Sequence, residues 1–127
     1  MKENRIRVLR VAPFTAPEVC VLDNRLRALQ EAVSIEANYV GLIEVIDLED
    51  ERACLICNEE GKLIGLPLNR WIGHDIIAGV FYVIGQDENR NFTSLSEEQI
   101  AYYKKKFEYA EYFIPDEGGG VIVLRIS

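Results

Sequence analysis

The sequence has few of the side chains on which metal, redox and membrane functions depend. It contains one histidine and three cysteines in 127 residues. An odd number of cysteines does not build a disulfide framework, and a chain of this length does not need one. The longest uncharged apolar run, residues 76–84, is too short to cross a bilayer as a helix. The amino-terminal residues interleave charged and apolar side chains, which is not the pattern of a secretion signal. We therefore expect a cytoplasmic protein with reduced thiols and no membrane association.

Positive charge is also scarce. The chain has 14 Lys and Arg against 21 Asp and Glu, a formal charge of −7. Binding along a nucleic-acid backbone needs a cationic face that displaces counterions, so nucleic acid is not the expected partner. The imbalance is local, because residues 36–60 hold one basic and eight acidic side chains. This segment is predicted to be a hairpin with an acidic turn.

The residues that are present predict one α+β domain over residues 1–127. Its apolar content of 49% is that of a globular protein. Short β-branched runs separated by turn residues predict about six strands in a mixed or antiparallel sheet, with two helices on one face. The uncharged run Ile76–Ile84 is expected to be the central strand. The other predicted strands are Ile6–Val11, Val19–Leu22, Asn38–Leu48, Arg52–Asn58 and Val121–Ile126.

Two helices are predicted from capping residues and apolar spacing. Asp23 and Asn24 are suited to cap the first helix, whose apolar face is formed by Leu26, Leu29 and Val33. The second helix begins at Ser96, where the residues Ser-Glu-Glu-Gln form a capping box. Apolar residues at spacings of three and four extend it to about Phe113, before Pro115 ends it.

Several motifs suggest chemistry, but their predicted settings argue against it. Cys54 and Cys57 lie three apart on a predicted strand, so their sulfurs point to opposite faces and cannot share a metal ion. His74 stands beside Asp75 without a serine or cysteine in a nucleophile context. Residues Gly118–Gly120 precede a strand instead of opening a helix, as a phosphate loop would. Lys104–Lys106 are expected on a solvated helix face. No catalytic residue, metal ligand or cofactor is predicted.

The candidate binding residues lie in the segment Leu66–Asp75, of which Leu66–Trp71 is predicted to be a loop or one helical turn. Asn69 can donate and accept hydrogen bonds, and Arg70 offers a planar fork of donors. Asp75 is a plausible bidentate partner for Arg70. Polar residues between an apolar loop and the most apolar strand form either a structural clamp or a recognition site. The predicted recognition surface consists of Asn69, Arg70, Trp71 and Asp75.

Four segments resemble an uncharacterised family known as domain of unknown function 3846. They are Ile56–Lys62, Leu66–Arg70, Asp75–Gly79 and Phe92–Leu95. The resemblance runs from about Arg5 to Phe107, so residues 108–127 form an extension, and residues 34–38 form a longer connection than the family has. Such proteins are encoded by bacteria, phages and mobile elements. The resemblance implies an accessory role of that kind and transfers no catalytic residue.

Two functions remain open after the sequence analysis. The first is a small, non-catalytic cytoplasmic interaction protein of phage or mobile-element origin that binds a macromolecule, more plausibly a protein than a nucleic acid. The second is a domain that binds or processes a small ligand at the segment Leu66–Asp75. Whether the protein is an enzyme is left undecided, with the balance toward a non-catalytic role.

Overall fold

The computed structural model describes residues 4–34 and 42–126, which form ten strands and two helices. In chain order the elements are β1 (Arg5–Val11), β2 (Glu18–Asp23), α1 (Leu26–Ala32), β3 (Ile43–Asp47), β4 (Ala53–Asn58), β5 (Leu68–Ile72), β6 (Asp75–Ala78), β7 (Phe81–Gln86), β8 (Phe92–Thr93), α2 (Glu97–Lys106), β9 (Ala110–Pro115) and β10 (Val121–Ile126). The predicted connection at residues 34–38 and the start of the strand predicted from residue 38 lie almost wholly outside the described residues.

The α+β class is confirmed, but the strands divide among three sheets. The main sheet has the order β2-β1-β7-β4-β3, and the short strand β8 adds to β7. Strands β5 and β6 form one separate hairpin, and β9 and β10 form another. Every ladder is antiparallel. All residues of β4 and β7 are buried, as expected of strands that are covered on both faces.

The two helices pack on opposite faces of the main sheet, so the prediction that they share one face is wrong. Side chains of successive strand residues alternate between the faces. Leu55 of β4 packs with Ile100 and Tyr103 of α2. Its neighbour Ile56 packs with Leu29 of α1. A sheet whose central strands are apolar on both sides needs cover on both sides.

The apolar run Ile76–Ile84 is not one strand. It divides into β6 and β7 at Gly79, whose φ is +82°. Glycine reaches this left-handed conformation without the strain that a Cβ atom would cause. The Gly79 amide donates a hydrogen bond to the Pro67 carbonyl oxygen at 2.7 Å. Only β7 is central in the main sheet, whereas β6 turns away and pairs with β5, a strand where a loop was predicted.

Both helices are shorter than predicted. The capping box of α2 is present at Ser96, but the helix ends at Lys106, and Ala110–Pro115 forms β9. Pairing with β10 overrides the helical spacing of the apolar residues in that segment. Helix α1 begins after Arg25, and Leu26 is 61% exposed, so Leu26 is not part of its buried face. In the described part of the chain, neither helix is long and apolar enough to cross a membrane.

Candidate functional site

A β-bulge in β5 directs two consecutive polar side chains into the protein. The register between β5 and β6 shifts between Leu68 and Arg70, so Asn69 is the extra residue. On a regular strand, neighbours such as Asn69 and Arg70 would point to opposite faces. A bulge re-aims side chains locally. Here Asn69 is 0% exposed and Arg70 is 1% exposed.

Asn69 joins two parts of the chain that are distant in sequence. Its Nδ2 donates to the carbonyl oxygen of Val11, at the end of β1, at 2.8 Å. The same atom donates to the carbonyl oxygen of Gly79, at the corner between β6 and β7, also at 2.8 Å. Its Oδ1 accepts a hydrogen bond from Arg70 at 2.9 Å. The side-chain amide therefore fastens the β5–β6 hairpin to the main sheet.

The guanidinium of Arg70 holds two further segments through their backbone carbonyls. One terminal nitrogen donates to the carbonyl oxygen of Thr15 at 2.6 Å and to that of Phe107 at 2.9 Å. Phe107 follows the last turn of α2, where a positive charge is favourable for the helix dipole. Burial lowers the pKa of Arg70, and the negative charge of Glu111 opposes this effect. The Nε atom of Arg70 is buried without a hydrogen-bond partner among the residues described.

Asp75 is not the partner of Arg70, contrary to the pairing predicted from sequence. Its carboxylate accepts a hydrogen bond from Lys62 and lies at the surface. That hydrogen bond is the largest influence lowering the pKa of Asp75. Trp71 is 45% exposed, and its indole Nε1 donates to the Gly73 carbonyl oxygen at 2.8 Å. The four predicted residues thus divide into a buried pair, Asn69 and Arg70, and two surface side chains.

Glu111 is a buried carboxylate that the sequence analysis missed. It is 6% exposed and accepts a hydrogen bond from the Trp71 backbone amide at 2.7 Å. Arg125 of β10 pairs with its other oxygen at 2.9 Å. These contacts fasten β9 to β5. No local signal identified Glu111, because its segment resembled the solvated side of a helix.

A second missed feature is the outer face of the β9–β10 hairpin. The register places Ile122 opposite Ile114 and Leu124 opposite Tyr112. Directly opposed residues share a face. Ile126 lies on the same face, because it is two residues after Leu124 on the same strand. We call this set the apolar face: Tyr112, Ile114, Ile122, Leu124 and Ile126. Its four aliphatic side chains are between 44% and 54% exposed.

The apolar face borders a groove that a second segment completes. Phe14, 51% exposed, stacks on Tyr112 with a ring separation of 5.2 Å. Together with Leu68 and the hairpin these rings line a groove of about 490 Å³. Arg70 contacts the carbonyl of Thr15, next to Phe14, and that of Phe107, just before the hairpin. The buried arginine therefore holds both walls of the groove in place.

The two cysteines of the Cys54–Cys57 motif are buried in β4. Cys54 and Cys57 pack on opposite faces of the sheet, as predicted. Burial raises the pKa of Cys54 to about 11 and that of Cys57 to about 12. Their thiols are therefore protonated and weakly nucleophilic near neutral pH. Asp47, the last residue of β3 before the acidic turn, forms a bidentate pair with Arg90 at 3.2 and 3.3 Å.

Comparison with known proteins shows which family the chain resembles. The model of the family described as Domain of unknown function (DUF3846) matches residues 6–108, most of the chain. The chain belongs to this family. The resemblance read from the sequence is therefore confirmed. No curated protein and no solved structure matches the chain. The match to DUF3846 includes Asn69 and Arg70 but ends before β9, so the β9–β10 hairpin and the whole apolar face lie beyond it.

Proposed function

We propose that this member of DUF3846 is a non-catalytic interaction protein that binds a protein partner through its apolar face. The observation that carries the proposal is the cluster of half-exposed aliphatic side chains on one side of the β9–β10 hairpin. Contiguous exposed apolar surface is uncommon on soluble monomers and marks interaction sites. Phe14 and Tyr112 add aromatic area, which is enriched at binding hot spots. A cytoplasmic setting, expected from the cysteine count and the amino-terminal sequence, is part of the proposal, and so is a phage or mobile-element origin, which rests on the family resemblance.

The geometry gives Asn69 and Arg70 a supporting role in this function. Their hydrogen-bond donors are directed at carbonyls inside the protein. A partner at the surface would meet Phe14 and the hairpin, whose positions depend on Arg70. Trp71 and Asp75 remain candidates for direct contact. The alternative, a small-ligand site at Leu66–Asp75, has less support because the two most versatile polar side chains of that segment are buried.

Two matched variants test the proposal. Ile122→Lys places a charge on the apolar face. Val121→Lys places the same charge on the other side of the same strand. The two residues are similarly exposed, Ile122 at 51% and Val121 at 46%. We expect the wild type and Val121→Lys to retain a specific protein from a host lysate and Ile122→Lys to lose it. Equal capture by both variants, with both folded, would exclude the apolar face as the binding surface.

A metabolite panel tests the alternative function. Small-ligand binding at the segment Leu66–Asp75 would raise the melting temperature of the wild type. Asp75→Ala would abolish that rise, whereas Ile122→Lys would leave it intact. If the function is protein binding at the apolar face, Ile122→Lys abolishes capture of the partner and Asp75→Ala leaves that capture intact.

A further inference from the structure

The outer edge of β10 is a strand edge without a partner in the part of the chain that the structure describes. β10 pairs with β9 along one side only, and the hairpin joins no larger sheet. An open strand edge exposes a row of backbone donors and acceptors. β10 therefore has both an unpaired edge and an exposed apolar face.

The turn geometry determines which backbone groups of β10 point to that edge. The Asp116 amide donates to the Gly120 carbonyl at 2.9 Å, and the Gly119 amide donates to the Asp116 carbonyl at 3.1 Å. Asp116 and Gly120 are therefore a hydrogen-bonded pair, and such pairs alternate along an antiparallel ladder. Ile122 and Leu124 consequently bond to β9. The amides and carbonyls of the three odd-numbered residues point outward: Val121, Val123 and Arg125.

This edge lacks the protection that the other outer strands have. Proteins commonly blunt free edges with charged side chains or proline. The outer strands of the main sheet follow that rule: β2 carries Glu18 and Asp23, and β3 carries Glu44 and Asp47. β10 has one charged residue, Arg125, whose guanidinium pairs with Glu111 of its own hairpin. β10 therefore has no proline and no unpaired charged side chain that would oppose the addition of another strand.

We propose that β10 pairs antiparallel with β10 of a second copy, centred on Val123. A strand that pairs antiparallel with its own copy forms a two-fold symmetric interface. In this register Val123 faces the partner's Val123, and Ile122 faces the partner's Leu124. The result is a four-stranded sheet with both apolar faces on the same side. The dimer goes beyond the proposed function and does not depend on it.

Charge favours a second copy in this register. Arg125 faces the partner's Val121, so the two arginines are kept apart. Each Arg125 then lies two strand spacings, roughly 10 Å, from the partner's acidic turn at residues 116 and 117. Arg125 keeps its pair with Glu111 in this arrangement, so the buried carboxylate stays neutralised. The two acidic turns lie at opposite ends of the sheet and do not repel each other closely.

The first test measures oligomeric state by sedimentation over a range of micromolar concentrations. We expect the wild type to dimerise. Val123→Pro removes an outward amide without removing a bond to β9, and it should weaken the dimer by about tenfold or more. A thermal melt checks that this variant is folded. A wild type that stays monomeric, or a folded Val123→Pro that dimerises as well as the wild type, would overturn the proposal.

The second test determines the register by disulfide trapping in a Cys20→Ser background. Val123→Cys lies on the two-fold axis, where opposed Cα atoms in a hydrogen-bonded pair are about 5.5 Å apart and can form a disulfide. Val121→Cys lies about 14 Å from its own copy and is the matched control. We expect fast cross-linking of Val123→Cys alone. Equal cross-linking of both variants would contradict the register. Cross-linking of Val123→Cys only to a different protein would assign the edge to that protein.

Discussion

Arg70 shows how one side chain can support a surface that it does not itself form. It reaches the carbonyls of Thr15 and Phe107 and the side chain of Asn69 from a site 1% exposed to solvent. Removing one member of a buried charged network leaves its acceptors unsatisfied. The planar guanidinium of Arg70 is needed to reach these acceptors, because a lysine ammonium is a compact group that cannot span them in one plane.

Arg70→Ala should lower the free energy of unfolding by about 3 kcal/mol, in the range seen when a buried charged partner is deleted. Arg70→Lys should recover only part of this loss. Urea denaturation measures both. Arg27→Ala is the control, because Arg27 forms an exposed pair with Glu31 at 3.0 Å, worth about 0.5 kcal/mol or less. Equal stability of Arg70→Ala and Arg27→Ala would show that Arg70 is not a structural clamp.

At the scale of elements, the close approach of β7 and β8 depends on Gly85. A Cβ atom there would lie 2.7 Å from the Ser94 carbonyl oxygen and 3.0 Å from that of Thr93. Gly85 pairs with Thr93, and the chain then continues into the capping box of α2. A backbone obstacle cannot rotate away as a flexible side chain can. A side chain at residue 85 would therefore displace β8 and the start of α2.

Gly85→Ala should cost about 2 kcal/mol of stability, as overpacking in a filled interior does. Gly118→Ala is the control, since the nearest atom to its added Cβ, an Asp116 carboxylate oxygen, lies 3.8 Å away. We expect Gly118→Ala to change stability by roughly 0.5 kcal/mol or less. Thermal or urea unfolding provides the comparison. A neutral Gly85→Ala would mean that β8 can shift without penalty.

At the scale of the whole molecule, two buried thiols couple stability to alkaline pH. The folded pKa values of Cys54 and Cys57, about 11 and about 12, exceed the ordinary value of 9.0. The unfolded chain therefore loses these protons first as pH rises. Stability that is fully present below pH 9 decreases as pH rises above 9, toward the folded pKa values.

Between pH 8 and pH 10 the wild type should lose about 1 kcal/mol of stability per buried thiol. Urea titrations at several pH values under reducing conditions measure this loss. The double variant Cys54→Ala and Cys57→Ala should be less stable at pH 8, yet show a smaller decrease toward pH 10. If the free energy of unfolding decreased equally with pH in the wild type and the double variant, the two thiols would not be the cause of the decrease.

Local sequence patterns were sufficient for features that depend on near neighbours in the chain. Strand alternation predicted that Cys54 and Cys57 face opposite ways, and the capping box located the start of α2 at Ser96. The strands β1, β2, β4 and β10 follow from short β-branched runs. The side-chain period of a strand and the hydrogen bonds of a capping box are set within a few residues, so no tertiary information is required.

The tertiary structure decided the features in which distant residues compete with local preference. Pairing with β10 changed the end of a predicted helix into β9, the positive φ of Gly79 divided an apolar run, and a bulge turned Asn69 and Arg70 inward. The partners of Arg70 lie 55 and 37 residues away in sequence. The polar residues of Leu66–Asp75 predicted either a structural clamp or a recognition site; Asn69 and Arg70 are buried and bonded inside the protein, and recognition at this segment stays a prediction. Arg70 binds backbone carbonyls instead of Asp75 because the fold brings Thr15 and Phe107 next to it. No local pattern encodes that proximity.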